Sequence, residues 1–331
     1  MTRPSNPRPI LLAAGGTGGH VFPAEALAAE LSRRGHALGF VTDTRGRGFG
    51  GNIGDIPLYR IRAGTPTGRR LPGKLLAAVD ILRGTFAAWQ LLQRLQPRAV
   101  IGFGGYPALP LLLAATQQRL PTLIHEQNAV LGRVNRLVAK RCNAIALSFA
   151  QTRFLPQGTH AVLTGNPVRA AILAAAQSPY AVAGDEIRLL VLGGSQGARI
   201  MSDVVPDALA SLPTALRRRL RVVQQCRPED LERVRSVFAA SGIPAETSSF
   251  FGDVAERLRA AHLVISRAGA SSAAEIAAVG RPSLLVPYAY AADDHQTANA
   301  AALVYAGAAQ AIAQADFTAV SCAAVVQALL E

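Results

Sequence analysis

A chain of 331 residues, half of them apolar and 17% charged, is long enough for two domains of about 150 residues and too apolar for disorder. Three widely spaced cysteines, Cys142, Cys226 and Cys322, argue against a disulfide framework and against structural zinc, and for a reducing compartment. The net charge of +13 rests on arginine, with Lys74 and Lys140 the only lysines; lacking zinc-finger spacing or an aromatic RNA-binding motif, the chain is expected to meet an anionic membrane surface or phosphorylated substrates, and no nucleic acid.

From the N-terminus, the apolar run Ile10–Ala14 is too short for a secretory signal and runs into glycines. Pro9–Ala13 reads as a buried strand, Gly15 to His20 as a flexible loop, and Pro23 as the opening residue of a helix with Leu27 and Leu31 on one face and Gly35 following its end. Ala37–Thr42 reads as the next strand. From Arg69 to Trp89 a basic start (Arg69, Arg70, Lys74, later Arg83) joins Leu75, Val79, Leu82, Phe86 and Trp89 at helical spacing, a pattern that fits an interfacial helix and equally a core-packed one. Strands are expected over Arg98–Phe103, Thr122–His125, Ala144–Phe149 and Ala161–Thr164. The longest uninterrupted apolar stretch, Leu109–Ala115, is shorter than the roughly 18 residues of a membrane span.

The plan then restarts. Ile187–Gly197 repeats the strand and Gly-rich turn of Ile10–Gly19, and strands near Arg221–Gln225, Thr247–Phe251, Leu263–Ser266 and Ser283–Val286 follow. Alternating strands and helices imply two parallel, doubly wound α/β domains, divided as residues 1–165 and 166–331, with ligands in a cleft at the carboxyl ends of the strands.

Neither glycine loop fits the dinucleotide pattern Gly-x-Gly-x-x-Gly. Gly68–Lys74 matches P-loop spacing, but Leu75 stands where a Ser or Thr would hold magnesium and no buried strand leads in. Four glycines between Ala13 and His20 exceed the needs of a tight turn and suggest a ligand close to the backbone. Ser266–Glu275 reads as strand, turn and helix N-terminus. A helix start suits a diphosphate, whereas Ser272-x-x-Glu275 is also the spacing of a capping box, and the local pattern leaves both open. With no Asp-x-Asp pair, no metal or cofactor is expected.

Six segments in order, Gly15–Pro23, Gly102–Tyr106, His125–Gly132, Thr164–Arg169, Gly193–Ala198 and Ser266–Gln296, together resemble the bacterial N-acetylglucosaminyltransferases that convert lipid I to lipid II, the MurG family. The resemblance spans about Pro9 to Ala309 and implies a GT-B fold of two Rossmann-like domains. The first would face the acceptor and the membrane, and the second would hold UDP-N-acetylglucosamine. It implies that Ser195 meets the donor diphosphate, the Phe251 backbone the uracil, and Ala270, Ser271, Ser272, Ala273, Ala274 and Glu275 the diphosphate and ribose. Gln296 would meet the sugar hydroxyls. Thr17, Gly18, Gly19, Asn128 and Arg169 would add donor contacts, and Gly104, Gly105 and Tyr106 would face the acceptor diphosphate.

The chemistry implied is inverting transfer to the 4-hydroxyl of the muramoyl sugar of lipid I, at the cytoplasmic face of the plasma membrane. That proton needs a base. His20, at the end of the first glycine loop, is the first candidate and Glu126 the second; His125 is expected to be structural and His295 a helix-start residue. The family usually continues into a further helix, which the second domain here is expected to lack beyond Glu331. The rival functions are a UDP-N-acetylglucosamine 2-epimerase of the same fold and a non-catalytic nucleotide-sugar or membrane-binding protein.

Overall fold

The computed structural model describes residues 8–15, 18–43, 55–65, 71–194 and 197–331. Two compact units divide the chain, Met1–Arg169 and Ala170–Glu331.

In the first unit the order is β1 (Ile10–Ala13), α1 (Gly18–Arg33), β2 (Leu38–Asp43), β3 (Leu58–Ile61), α2 (Leu71–Leu95), β4 (Ala99–Gly102), α3 (Leu109–Gln117), β5 (Thr122–Glu126), α4 (Arg133–Val138), β6 (Ala144–Leu147) and β7 (Ala161–Leu163). The strands form one sheet in the order β3-β2-β1-β4-β5-β6-β7. Every pair is parallel, so the connections must cross over the faces and cover both of them. Strand β1 shows the consequence. Leu11 and Leu12 point to opposite faces, yet both are wholly buried, Leu11 among Val41, Leu92 and Leu112 and Leu12 among Ala24, Ala28 and Phe40.

Helix α1 starts at Gly18, five residues before the proline expected to open it, and Pro23 lies inside it. Proline there removes one helical hydrogen bond. Small residues compensate by close approach: Ala24 and Ala28 are buried against the sheet, while Leu27 and Leu31 are only partly covered. His20 therefore sits in the first turn of a helix and does not end a flexible loop.

Helix α2 inverts the usual amphipathic arrangement. Its buried positions are mostly small, Ala77, Gly84 and Ala88 beside Leu92, whereas Leu71, Leu75, Leu76, Val79, Leu82, Phe86 and Trp89 are exposed. It is the one helix among the described residues long and apolar enough, by length and composition, to cross a membrane. The expectation that nothing in the chain reaches that threshold counted uninterrupted apolar runs, which polar residues at helical spacing break without lowering the average much. Of the P-loop-like stretch, Gly68–Arg70 lies outside the described residues and Leu71–Lys74 forms the first turn of α2.

The second unit runs α5 (Ala170–Ala175), β8 (Ile187–Leu192), α6 (Arg199–Ala210), α7 (Thr214–Arg217), β9 (Leu220–Gln225), α8 (Leu231–Ala240), β10 (Ala245–Ser248), α9 (Val254–Ala260), β11 (Leu263–Ser266), α10 (Ala270–Val279), β12 (Ser283–Leu285), α11 (His295–Tyr305), β13 (Ala309–Ala311) and α12 (Ala319–Leu330). Its sheet has the order β10-β9-β8-β11-β12-β13, again parallel throughout. Helix α12 starts with a Thr318–Ser321 capping box and buries Cys322 and Val326 in the core of this same unit, with Phe317 and Met201. Burial in apolar surroundings pushes the Cys322 thiol up to about 12, so it packs as an inert hydrophobe.

Candidate active site

In each sheet the strand order reverses next to the first strand, and the loops leaving the two strands at that point diverge to leave a crevice. In the first unit the reversal lies between β1 and β4. The loops after β1, β4 and the adjoining β5 bring together Gly15, His20, Gly104, Gly105 and the run His125–Asn128.

The His20 imidazole is held by side chains of the β5 loop. Its Nδ1 lies 3.0 Å from Gln127 Oε1, Gln127 Nε2 lies 3.0 Å from His125 Nδ1, and His125 Nε2 lies 3.1 Å from the Gly165 carbonyl oxygen. Gln127 and His125 are buried, and His125 packs against the Phe103 ring at 5.6 Å between centroids. Burial pushes the His125 pKa below its ordinary value, against the opposing pull of its bond to Gly165 and of the Glu126 charge.

Glu126 is 1% exposed, and N–H groups surround its carboxylate. Oε1 accepts from the Asn128 backbone N–H at 3.0 Å and from Asn128 Nδ2 at 3.2 Å. Oε2 accepts from the Gly132 N–H at 2.8 Å and from Asn135 Nδ2 at 2.8 Å. The other Asn135 amide hydrogen goes to the His125 carbonyl at 3.2 Å. Four donors on one buried carboxylate fix the β5 loop and the start of α4 as a unit.

The loop after β4 needs glycine for two reasons. Gly104 and Gly105 have φ of 81° and 73°, where a side chain is strained. A Cβ on Gly105 would also stand 3.1 Å from the Gly15 carbonyl oxygen and 3.3 Å from His20 Cδ2. Gly105→Ala is expected to cost about 1–3 kcal/mol and to displace the imidazole, with activity falling more than thermal stability. Comparing melting temperature with turnover checks this. Tyr106 follows directly, at the start of a short 3-10 turn. On α1, the Arg169 guanidinium stacks on Phe22 at 4.9 Å, and Gly18 and Gly19 form the first turn with His20. Thr17 lies outside the described residues.

In the second unit the reversal falls between β8 and β11. Gly193 packs tightly: a Cβ there would come within 2.9 Å of the Gly197 Cα, and its N–H donates to Gln225 Oε1 at 3.1 Å. Ser195 lies outside the described residues. After β11, Gly269 is the N-cap of α10, with φ −66° and ψ 140° and no side-chain cap. This corrects the capping-box reading: Ser271 and Ser272 are the second and third helical residues, so Ser272 cannot cap a helix already begun. Glu275 is buried in the second turn, as are Ala270 and Ala273, while Ser271, Ser272 and Ala274 are half-buried.

Phe251 is buried beneath the Arg257 guanidinium, 4.2 Å from its ring centroid, and Arg257 is fixed by Glu246 and Asp253. Gln296, in the first turn of α11, accepts the Tyr288 N–H at 2.9 Å through Oε1, which turns its amide nitrogen away from that bond. His295 Nδ1 lies 2.8 Å from the Ala292 carbonyl. Among the described residues no three His, Cys, Asp or Glu side chains converge as a metal site would require.

Residues 10–147 match the glycosyltransferase family 28 N-terminal domain and residues 188–331 its C-terminal domain. The chain belongs to glycosyltransferase family 28. Within that family it is 54% identical, over 95% of its own length and 86% of the relative's, to the UDP-N-acetylglucosamine–N-acetylmuramyl-(pentapeptide) pyrophosphoryl-undecaprenol N-acetylglucosamine transferase of Paramagnetospirillum magneticum. The protein of the same name from Rhodospirillum rubrum is 52% identical over 94% of this chain and 81% of its own. The crystal structure of Acinetobacter baumannii MurG superposes with a TM-score of 0.79 at 31% identity, covering 98% of this chain and 91% of that one. A putative UDP-N-acetylglucosamine 2-epimerase from Listeria monocytogenes superposes with a TM-score of 0.67 at 15% identity, covering 98% of this chain and 88% of its own, a likeness of fold alone.

For a family 28 chain, the expected residues assemble in two groups. His20, Glu126, Asn128, Gly104, Gly105 and Tyr106 gather at the reversal of the first sheet. Ala270–Glu275 lies at the reversal of the second, with Phe251 and Gln296 on neighbouring loops of that unit. Gln127 and Asn135 were not among the expected site residues. Neither amide belongs to a local motif: Gln127 meets His20 across 107 residues of chain, and Asn135 reaches back nine residues to Glu126.

Proposed function

We propose that this chain transfers N-acetylglucosamine from UDP-N-acetylglucosamine to the 4-hydroxyl of the muramoyl sugar of lipid I, undecaprenyl-diphospho-muramoyl-pentapeptide, forming lipid II for peptidoglycan. The observation that carries the reading is 54% identity over 95% of the chain to a transferase of that name. The acceptor oxygen attacks the anomeric carbon from the face opposite UDP. The bond to the diphosphate oxygen breaks with its electron pair leaving on UDP, and the configuration inverts.

His20 receives the acceptor proton, because its imidazole lies at the strand-order reversal with its ring edge against the Gly104–Gly105 loop. Glu126 is the less suitable base: both its oxygens are taken up by N–H donors, and we assign it to holding the loop. Gly104, Gly105 and Tyr106 face the acceptor diphosphate. On the second unit, the N-terminus of α10 with Ser271 and Ser272, and the loop carrying Ser195, take the donor diphosphate. Glu275 takes the ribose and the Phe251 backbone the uracil. Gln296, its oxygen already engaged by Tyr288, presents its amide N–H groups to the sugar. Thr17, Gly18, Gly19, Asn128 and Arg169 complete the donor contacts. No metal or cofactor takes part; helix and backbone N–H groups offset the charge of departing UDP.

Release of UDP from UDP-N-acetylglucosamine, measured with and without a lipid I analogue in EDTA, tests this. Release that needs the analogue and survives EDTA is expected. Turnover of the nucleotide sugar alone would indicate an epimerase, and binding without transfer a non-catalytic protein.

The same reading places the enzyme peripherally at the cytoplasmic face of the plasma membrane. The exposed face of α2, Leu75, Val79, Leu82, Phe86 and Trp89 beside Lys74 and Arg83, suits an interface with anionic lipid, where each basic residue contributes about 1 kcal/mol. Flotation with vesicles of phosphatidylglycerol is expected to exceed flotation with neutral ones. Equal flotation would remove the electrostatic contribution.

A further inference from the structure

We propose that Gln127 is a positioning residue that holds His20 in the Nδ1–H tautomer, leaving Nε2 as the atom that takes the acceptor proton; this rests on the reading of His20 as the base. The argument starts at the far end of the hydrogen-bonded chain. A carbonyl oxygen only accepts, so His125 Nε2, 3.1 Å from the Gly165 oxygen, must carry a hydrogen. Burial keeps the His125 ring neutral, so its Nδ1 is bare and accepts. The partner 3.0 Å away is then the nitrogen of the Gln127 amide. The same Nε2 gives its second hydrogen to the His125 carbonyl at 3.1 Å. Two backbone carbonyls, Gly165 and His125, thus fix which way the amide faces.

Gln127 Oε1 is left facing His20 Nδ1 at 3.0 Å. An amide oxygen cannot donate, so Nδ1 holds the hydrogen and the lone pair of the neutral ring is on Nε2. This is the less common tautomer of a neutral histidine in water. The geometry also directs that lone pair. Cδ2 and Cε1, the carbons bonded to Nε2, lie 3.3 Å and 3.5 Å from where Cβ atoms on Gly105 and Gly104 would stand. The basic edge therefore lies along the glycine loop.

Once His20 is protonated, Gln127 still accepts from Nδ1 but takes on no charge, because an amide is not a base at neutral pH. The chain orients the ring without stabilising its cation as a carboxylate would. The ionisable groups around this chain are His125 and Glu126 on β5, His125 interacting electrostatically both with Glu126 and with His20, and Tyr106, which follows Gly105 in sequence.

The test uses the full-length protein with isotopically labelled histidine, the His20 signals being assigned with H20Q. Nitrogen NMR is expected to show Nδ1–H for neutral His20 in the wild type and a shift towards Nε2–H in Q127L. Turnover by Q127L should fall on the order of 10²-fold with KM for UDP-N-acetylglucosamine unchanged, since a wrong tautomer removes the general-base contribution while leaving donor binding alone. In Q127E, closest in shape should Q127L fail to fold, a carboxylate beside Nδ1 should move the acid limb of the pH profile up by about one unit or more. Nε2–H in the wild type, or an unchanged tautomer in Q127L, would overturn the proposal. H20Q with wild-type turnover would instead overturn the base reading, and with it the catalytic half of the proposal, even where the spectra uphold the tautomer.

Discussion

Replacing His20 by alanine is expected to lower kcat by about 10²- to 10⁴-fold, the usual contribution of a positioned general base, while UDP binds as before. The physical ground is the placement of the imidazole. It projects from the first turn of α1, its Nδ1 is engaged by Gln127, and its opposite edge lies against two glycines whose φ of 81° and 73° keep side chains out. Steady-state UDP release against a lipid I analogue, with calorimetric titration of UDP, separates the two effects. A loss of less than tenfold would place the base elsewhere. Loss of UDP affinity in step with kcat would make His20 a donor ligand.

Glu126→Ala is expected to act on the fold. Removing the carboxylate leaves the N–H groups of Gly132 and Asn128 and the Asn135 amide without their acceptor in a region where Glu126 itself is 1% exposed. Stranded buried donors cost about 1–3 kcal/mol each and are not additive, so the loss should be about 3–5 kcal/mol, a large share of a domain's stability. Glu126→Gln keeps the shape but turns an NH₂ towards one pair of donors, and should lose about half as much. Chemical denaturation of both variants measures this. Wild-type stability in Glu126→Gln together with abolished turnover would restore Glu126 as the base.

Much of this architecture is legible in the sequence because parallel strands buried on both faces produce continuous apolar runs: Leu263–Ser266 has its expected ends, and the strand expected within Ile187–Gly197 runs from Ile187 to Leu192. The strands that escaped are edge strands or nearly so. β3 (Leu58–Ile61) is short and half-exposed, and β13 is Ala-Gln-Ala, three residues with no large apolar side chain. β10 begins two residues before its expected start and ends three before its expected end, since Phe251 is buried by Arg257 and not by pairing in the sheet.

Helix starts were the least legible feature. Gly18 and Gly19 have low helix propensity, and Pro23 is most at home in a first turn, so local chemistry pointed to Pro23; contacts to Gln127 and to the sheet prevail in the folded chain. At α10 the Ser272–Glu275 spacing matched a capping box, but glycine at 269 starts the helix earlier. The residue types of the site were visible as glycines, a histidine and a carboxylate. Their division of labour was not, because it depends on which N–H faces which oxygen.

The buried clusters described for the two sheets carry a further consequence. Among the described residues, Leu11, Leu112 and Ile124 belong to a buried cluster of first-unit residues, and Leu189, Val205 and Phe238 to one of second-unit residues. Each half, with a core of its own, is expected to melt as a cooperative unit, so that calorimetry resolves two transitions. A substitution such as Glu126→Ala should split a calorimetric trace by lowering one transition and leaving the other in place, so a single melting temperature would misstate the damage. During synthesis the first unit can close its sheet while the second is still being made.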